Sequence, residues 1–167
     1  MLYILLIPFI LQAILMLIDE AFFHLRRGLP RWERIGHPID TLSFIVCLLV
    51  TQFFPCTTAT LLWYIVLALA SCLLITKDEF VHKHHCPVGE QWIHSVLFVN
   101  HPFMLTALAL IWYATTTLHT PPKLLLAVAQ HKPTTIIFLK GQTIFALVFM
   151  GYQIIFWNIL WKMKKNK

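Results

Sequence analysis

The chain has 167 residues, of which 59% are hydrophobic and only 12% are charged, and its formal net charge is +6. This composition excludes an ordinary water-soluble globular protein, and the mean hydropathy of +0.74 is typical of an integral membrane protein. The four cysteines form no C-x-x-C motif and share no loop, so they do not indicate a disulfide framework.

Five apolar runs are each close to the roughly 20 residues that a helix needs to cross the hydrocarbon core. They cover residues 1–18, 39–54, 58–76, 93–114 and 144–161, and the short second run can extend back to Trp32. The first run lacks a basic leader and a cleavage site and continues into Asp19 and Glu20, so we expect a retained helix rather than a signal peptide. The sequence predicts an all-α integral membrane protein with a single transmembrane domain over residues 1–167 and about five transmembrane helices.

The basic residues are divided unevenly between the two sides of this five-span arrangement. Only Lys123, Lys132 and Lys140 fall on one side, and the other ten of the 13 fall on the opposite side. Because cytoplasmic loops carry the excess of Lys and Arg, we expect the N-terminus outside and the C-terminus inside, for example in a bacterial inner membrane. The C-terminal lysines then anchor the topology, and no nucleic-acid partner is expected.

Two polar segments, one before the second run and one before the fourth, share the same order of residues. The first is "DEAFFHLRRGLPRWERIGH", residues 19–37, and the second is "DEFVHKHHCPVGEQWIH", residues 78–94. Each has Asp-Glu at the end of an apolar run, then a histidine, then Pro-x-x-Glu-x-x-x-His at the start of the next run. This predicts a pseudo-twofold internal repeat, with one unit at about 1–55, a second at about 58–115, and a fifth helix at about 141–161 that buttresses them.

The spacing within these segments places one carboxylate and one imidazole on the same face of each of four helix ends. All seven acidic residues and seven of the nine histidines of the chain lie in or beside the two segments. Clustered carboxylates near hydrocarbon are costly unless cations neutralise them. We therefore predict a metal-binding bundle of four helices. Its predicted ligands are Glu20, His24, Glu33, His37, Glu79, His82, His85, Glu90, His94 and His101. Residues that orient these ligands, or join them, are Asp19, Asp40, Asp78 and His84.

Carboxylate and imidazole ligands without a regular thiolate set suit iron, manganese or zinc, and this number of ligands fits two ions. The pattern resembles membrane-embedded di-iron proteins of the fatty-acid hydroxylase and desaturase type in its ligand chemistry and in its position at cytoplasmic helix ends. The spacing departs from that class, since three of the four Glu/His pairs are four residues apart and residues 82–85 read His-x-His-His. The resemblance implies two Fe ions as cofactor, O₂ activation, oxidation of a lipid-like substrate at the cytoplasmic face, and an external electron donor protein.

Four arginines flank the predicted metal site and are candidates to bind an anionic head group of the substrate, with membrane anchoring as the alternative role. They are Arg26, Arg27, Arg31 and Arg34. Cys86 is a candidate soft ligand, whereas His119 and His131 lie in the outer loop and are not expected to form a second site.

Three alternatives to the oxidoreductase stay open at this point. The first is a zinc-dependent membrane lipid hydrolase, in which a glutamate acts as general base. The second is a non-enzymatic subunit of a membrane complex that binds metal or haem, although haem needs no carboxylates. The third is a buried salt-bridge network of the histidines and carboxylates with nearby Arg and Lys.

Overall fold

The computed structural model describes residues 2–77, 86–117 and 120–161. Within these ranges the chain is helical and contains no strand. Five helices are long and apolar enough to cross a membrane, and we call them the first to fifth helix in chain order. They are Leu2–Arg27, Arg31–Phe53, Thr58–Thr76, Val88–Thr116 and Lys132–Leu160. The predicted all-α architecture and the number of membrane-length helices are confirmed.

Both Pro-x-x-Glu-x-x-x-His motifs begin a long helix. Pro30 and Pro87 precede the second and fourth helices with extended backbone, where a proline removes no helical hydrogen bond. Glu33 and Glu90 then fall in the first turns, where the helix dipole favours a carboxylate. The two helices therefore begin in polar sequence, before the apolar runs 39–54 and 93–114.

The first helix changes its winding where it becomes polar. The α-helix Leu2–Asp19 is followed by a π-helical turn, Glu20–His24, and by a last turn, Leu25–Arg27. It ends at Gly28, whose φ of +74° is a conformation that glycine adopts without steric cost. The short connection to Arg31 places the end of the first helix beside the start of the second.

The fifth helix is longer at its N-terminal end than the apolar pattern indicated. It begins at Lys132, whereas the sequence predicted about residue 141. Its first turns carry Lys132, Thr134, Thr135 and Lys140, which lowered the apolar signal without preventing helix formation.

The most extensive helix contacts pair the first helix with the fourth and the second with the fifth. The apolar core lies in the half of the bundle away from the polar segments and includes Leu48, Leu105, Leu108, Ile111 and Trp112. Many large apolar residues on the outer surface, such as Trp63 and Val148, are exposed, as expected for helices that face lipid. This packing holds the polar ends of the first, second and fourth helices together.

Candidate metal centre

Carboxylates and imidazoles from three helix ends converge in one buried cluster, which we call the polar cluster. Its members are Asp19, Glu20, His24, Arg27, Glu33, His37, Glu90 and His94. Two groups within it have ligand atoms that all lie within 4.8 Å of one another. The first group is Asp19, His24, Glu90 and His94, and the second is His24, Glu33 and His37. His24 belongs to both groups and lies at the centre of the cluster.

The ligand atoms of the four-residue group lie close together. Oδ2 of Asp19 lies 3.0 Å from Nε2 of His24 and 2.8 Å from Nε2 of His94. Nε2 of His24 lies 3.5 Å from Oε1 of Glu90. Ligands about 2.1 Å from one ion are roughly 3.0–3.4 Å apart, so the group could hold a metal ion after small shifts, and the same separations also suit hydrogen bonds and ion pairs.

The π-helical turn explains why two adjacent acidic residues both reach His24. In a regular α-helix Asp19 and Glu20 would point about 100° apart. Here both are buried, with Oδ2 of Asp19 near Nε2 of His24 and Oε2 of Glu20 near Nδ1 of the same ring, each at 3.0 Å. π-Helical turns are frequent at functional sites, and this one turns Asp19 into the cluster.

Glu20 was predicted as a ligand, but it lies outside both groups and contacts His24 from the other side. Its Oε1 accepts hydrogen bonds from the Tyr152 hydroxyl at 2.7 Å and from Nε1 of Trp157 at 2.9 Å. These bonds fix the carboxylate that faces Nδ1 of His24. A carboxylate that accepts from one imidazole nitrogen directs the other nitrogen towards a metal, and Glu20 has that geometry.

Arg27 was predicted as a contact for a substrate head group, and the structure pairs it with two carboxylates. Its Nη2 lies 2.7 Å from Oε2 of Glu33 and 2.6 Å from Oε1 of Glu90. The guanidinium is therefore engaged with two buried carboxylates. It also lies 3.5 Å from the thiol of Cys86, whose pKa is raised by burial to about 12. Cys86, a candidate soft ligand, lies outside both groups.

The three other arginines lie at the edge of the cluster. Arg26 is exposed with its guanidinium 5.6 Å from the centre of the Phe22 ring, and Arg31 is exposed. Nε of Arg34 donates to the carbonyl of Leu29 at 2.7 Å. A head-group contact from Arg26 or Arg31 stays a prediction.

His101 and Asp40 lie in the membrane-length helices but outside both groups. Nε2 of His101 is 2.9 Å from the hydroxyl of Ser71, and the Asp40 carboxylate pairs with Nζ of Lys77 at 2.5 Å. Both residues line a cavity beside the cluster. The structure therefore does not bring His101 to the other candidate ligands.

Five of the predicted site residues lie outside the residues that the structure describes. They are Asp78, Glu79, His82, His84 and His85. Half of the predicted second unit is therefore untested, and so is the internal repeat. The described members of the two units do approach one another. Arg27 lies between Glu33 of the first unit and Glu90 of the second. The centre of the His24 ring lies 5.1 Å from that of His37 and 6.1 Å from that of His94.

Tyr152 and Trp157 are members of the site that the sequence did not predict. They lie near the end of the fifth helix, which carries no acid or histidine in its membrane-length part. Aromatic residues near a helix end usually mark the membrane interface, so their pattern gave no separate signal. The fifth helix packs against the second and donates hydrogen bonds to Glu20 from Tyr152 and Trp157.

A cavity of about 150 Å³ extends from the polar cluster into the apolar interior of the bundle. At the cluster it touches Asp19, His24 and His94, and farther in it is lined by phenylalanines. These are Phe9, Phe44, Phe98, Phe145 and Phe149. A mostly apolar cavity with a few polar groups at one end is the usual form of a small-molecule site.

Among the described residues, the polar cluster contains four carboxylates and one arginine. Asp19, Glu20, Glu33 and Glu90 are at most 6% exposed, and Arg27 is the arginine or lysine that contacts them among the described residues. Oδ1 of Asp19 has no hydrogen-bond partner in the described part of the chain. Buried carboxylates are stabilised by cations, so the cluster fits bound metal ions, with protonated histidines as the alternative source of positive charge.

Comparisons with models of protein families, with curated proteins and with solved structures find no match to this chain. The chemistry of the site therefore rests on its own geometry.

Proposed function

We propose that this chain is a membrane-bound metalloenzyme that holds two metal ions, most simply iron, in the polar cluster and oxidises an apolar substrate. The observation that carries the proposal is the presence of two overlapping ligand groups at buried helix ends. Because Glu20 contacts Nδ1 of His24, only Nε2 of that ring is left for an ion, so His24 would serve the first group. That group offers two carboxylates and two imidazoles, and Glu33 and His37 add one carboxylate and one imidazole for the second ion.

The donor set favours iron over softer metals. The six residues of the two groups are oxygen and nitrogen donors, and the nearby Cys86 lies outside both groups. Oxygen and imidazole donors suit iron, manganese and zinc, and helix bundles with carboxylate and histidine ligands commonly hold two ions. Bound iron would activate O₂, so that one oxygen atom enters a C–H bond and the other leaves as water with electrons and protons from an external donor protein.

The residues of this chain would prepare the site in distinct ways. Glu20 fixes the ring of His24 through Nδ1 and is itself held by Tyr152 and Trp157. Arg27 holds Glu33 and Glu90 together and neutralises part of their charge. The mostly apolar cavity would bring a hydrophobic substrate beside Asp19, His24 and His94.

We also propose that the polar cluster lies at the cytoplasmic face of the membrane. The support is the excess of Lys and Arg on that side of the five-span arrangement, where the first, second and fourth helices have their polar ends. A cytoplasmic site would be accessible to a soluble electron donor protein.

Metal analysis with Mössbauer spectroscopy tests the proposal on protein purified without chelators. We expect about two irons per chain, because helix bundles with carboxylate and histidine ligands commonly hold two ions. Glu90→Gln and His94→Ala should each lose metal, and His131→Ala, which changes an exposed histidine outside the cluster, should not. One zinc and no iron would overturn the di-iron proposal and favour the hydrolase, and metal-free protein with a stable fold would favour the salt-bridge network.

A further inference from the structure

The cavity beside the polar cluster is too small to enclose a long lipid chain. Its volume is about 150 Å³. An engineered apolar cavity of roughly this size holds a benzene molecule. A hydrophobic substrate of lipid size therefore places only one end in the cavity, and the rest of it must pass out between helices.

The first and fifth helices leave room for such a passage. They contact each other near one end of the cavity through the rings of Phe9 and Phe138, 5.8 Å apart, and at the cluster through Glu20 and Tyr152. Between these two contacts, the facing residues line the cavity and are half-buried. They are Gln12, Ala13 and Met16 on the first helix and Gln142 and Phe145 on the fifth. The two helices do not form one of the extensively packed pairs of the bundle.

A chain of hydrogen bonds occupies one nitrogen of His101 in the cavity wall. The hydroxyl of Ser43 donates to the carbonyl of Asp40 at 2.8 Å and lies 2.7 Å from the hydroxyl of Ser71. The Ser71 hydroxyl in turn lies 2.9 Å from Nε2 of His101. Nε2 is thus engaged with Ser71, and Nδ1 is the nitrogen left for a ligand.

Nδ1 of His101 has no protein partner among the described residues, and the residue, which is only 3% exposed, lines the cavity. A polar atom that faces a cavity without a partner is expected to bind a polar group of a ligand. On the first helix, Oε1 of Gln12 accepts from Asn100 at 2.9 Å, which leaves its NH₂ group to donate to a ligand oxygen. A hydroxyl group can pair with His101 and with Gln12 because it donates and accepts.

The charges around the cavity disfavour an anionic ligand. Its walls include the carboxylates of Asp19, Glu20 and Asp40, and no lysine or arginine is among its described lining residues. The nearby cations Arg27 and Lys77 are paired with carboxylates. A carboxylate or phosphate group in the cavity would therefore meet like charges, and none of the described lysines or arginines lines the cavity to offset them.

From these features we propose that the cavity binds the hydroxylated aromatic ring of a phenolic lipid, whose apolar tail leaves between the first and fifth helices. The ring matches the volume and the phenylalanine lining, and its hydroxyl matches His101 and Gln12. This inference deepens the proposed function by naming the class of its substrate, and it rests on that function only for the reaction, since binding needs no metal.

Equilibrium binding of tritiated para-dodecylphenol to the full chain tests the proposal, with protein as purified and after chelation of metals. Three competitors share one tail: the methyl ether of the phenol, para-dodecylbenzoate, and dodecanol. We expect the ether to compete about five- to tenfold more weakly than the phenol, which is the effect of one lost hydrogen bond. The benzoate and dodecanol should be weaker still. Equal competition by the ether, the benzoate or dodecanol would overturn the assignment of a neutral phenolic ring.

Variants of the chain locate the site. Ala146→Phe, which fills the cavity from a residue only 3% exposed, and Ala13→Phe, which blocks the gap, should abolish specific binding. Ala70→Phe is the matched control, because Ala70 is exposed on the third helix away from the cavity. The His101→Leu variant should bind the phenol and its methyl ether with equal affinity. The ratio of these two affinities does not depend on the overall stability of the variant. An unchanged ratio, or binding that survives Ala13→Phe, would overturn the proposal.

Binding that persists in chelated protein supports this inference even if no iron is found, whereas iron without phenol binding would leave the proposed function standing and overturn the inference. The two proposals therefore fail by different measurements.

Discussion

The two halves of the bundle treat polar groups in opposite ways. In the half that contains Trp112, buried polar side chains donate to backbone carbonyls: the Tyr64 hydroxyl donates to the carbonyl of Leu105, and Nε1 of Trp112 donates to the carbonyl of Phe54. In the polar cluster, four buried carboxylates share one arginine and three histidines, and Oδ1 of Asp19 has no partner among the described residues. The first half is built as a stable core, and the second retains an electrostatic cost that a core would avoid.

Removal of Arg27 should give the largest difference between the two halves. In chelated protein, Arg27→Ala leaves Glu33 and Glu90 as buried carboxylates without their shared cation, and we expect a loss of about 3–5 kcal/mol in unfolding free energy. Bound metal would neutralise the same carboxylates, so the loss should be clearly smaller in metal-loaded protein. Unfolding in detergent micelles, followed by circular dichroism with and without chelator, measures both values.

Arg26→Ala is the control for this comparison, because Arg26 is exposed and contacts only the Phe22 ring in the described structure. Its effect should stay within about 0.5 kcal/mol. An equal loss for Arg27→Ala with and without metal would show that Glu33 and Glu90 bind no ion.

A new cavity, created by a substitution in the half of the bundle that contains Trp112, should lower the stability of the protein without changing its metal content. Leu108 is fully buried in the core, and Leu108→Ala is expected to cost about 2–5 kcal/mol through lost packing contacts. The iron content per folded chain should equal that of the unsubstituted protein. Loss of metal from folded Leu108→Ala protein would show that the two halves are not separate in function.

Removing one tyrosine hydroxyl in each half gives a matched pair of variants, for which smaller effects are expected. Tyr152→Phe removes a donor to Glu20, and we expect metal affinity to fall about tenfold, as for other residues that orient a metal ligand indirectly. Tyr64→Phe removes a donor to a backbone carbonyl and should leave metal affinity unchanged. Titration with ferrous iron under anaerobic conditions measures both affinities. Similar affinities for the two variants would contradict the orienting role of Glu20.

The sequence predicted the helices and most of the cluster, because both depend on local patterns. Apolar runs of membrane length and the Pro-x-x-Glu-x-x-x-His spacing placed Glu33, His37, Glu90 and His94 on helix ends that do converge. The sequence assigned Glu20 as a ligand and left Asp19 open, because the π-helical turn that rotates Asp19 towards His24 has no signature in residue type.

The role of Arg27 also required the fold. Four arginines in one short segment look alike in sequence, and only the packing of the first helix against the fourth distinguishes Arg27, which contacts Glu90 63 residues away. Tyr152 and Trp157 were missed for the same reason, since their contacts with Glu20 join the two ends of the chain.

The smallest expected effect concerns Cys86, which lies beside the polar cluster without joining its ligand groups. Burial raises the pKa of its thiol to about 12 from an ordinary value of 9.0, so the reactive thiolate forms only as the pH approaches that value. Alkylation of Cys86 by iodoacetamide, followed by peptide mass spectrometry, should therefore be slow near neutral pH and should accelerate as the pH rises. Cys86→Ser should keep its metal and change stability by no more than about 0.5 kcal/mol. Rapid alkylation that bound metal prevents, or metal loss in Cys86→Ser, would instead make the thiol a ligand and would extend the metal centre beyond the carboxylates and imidazoles.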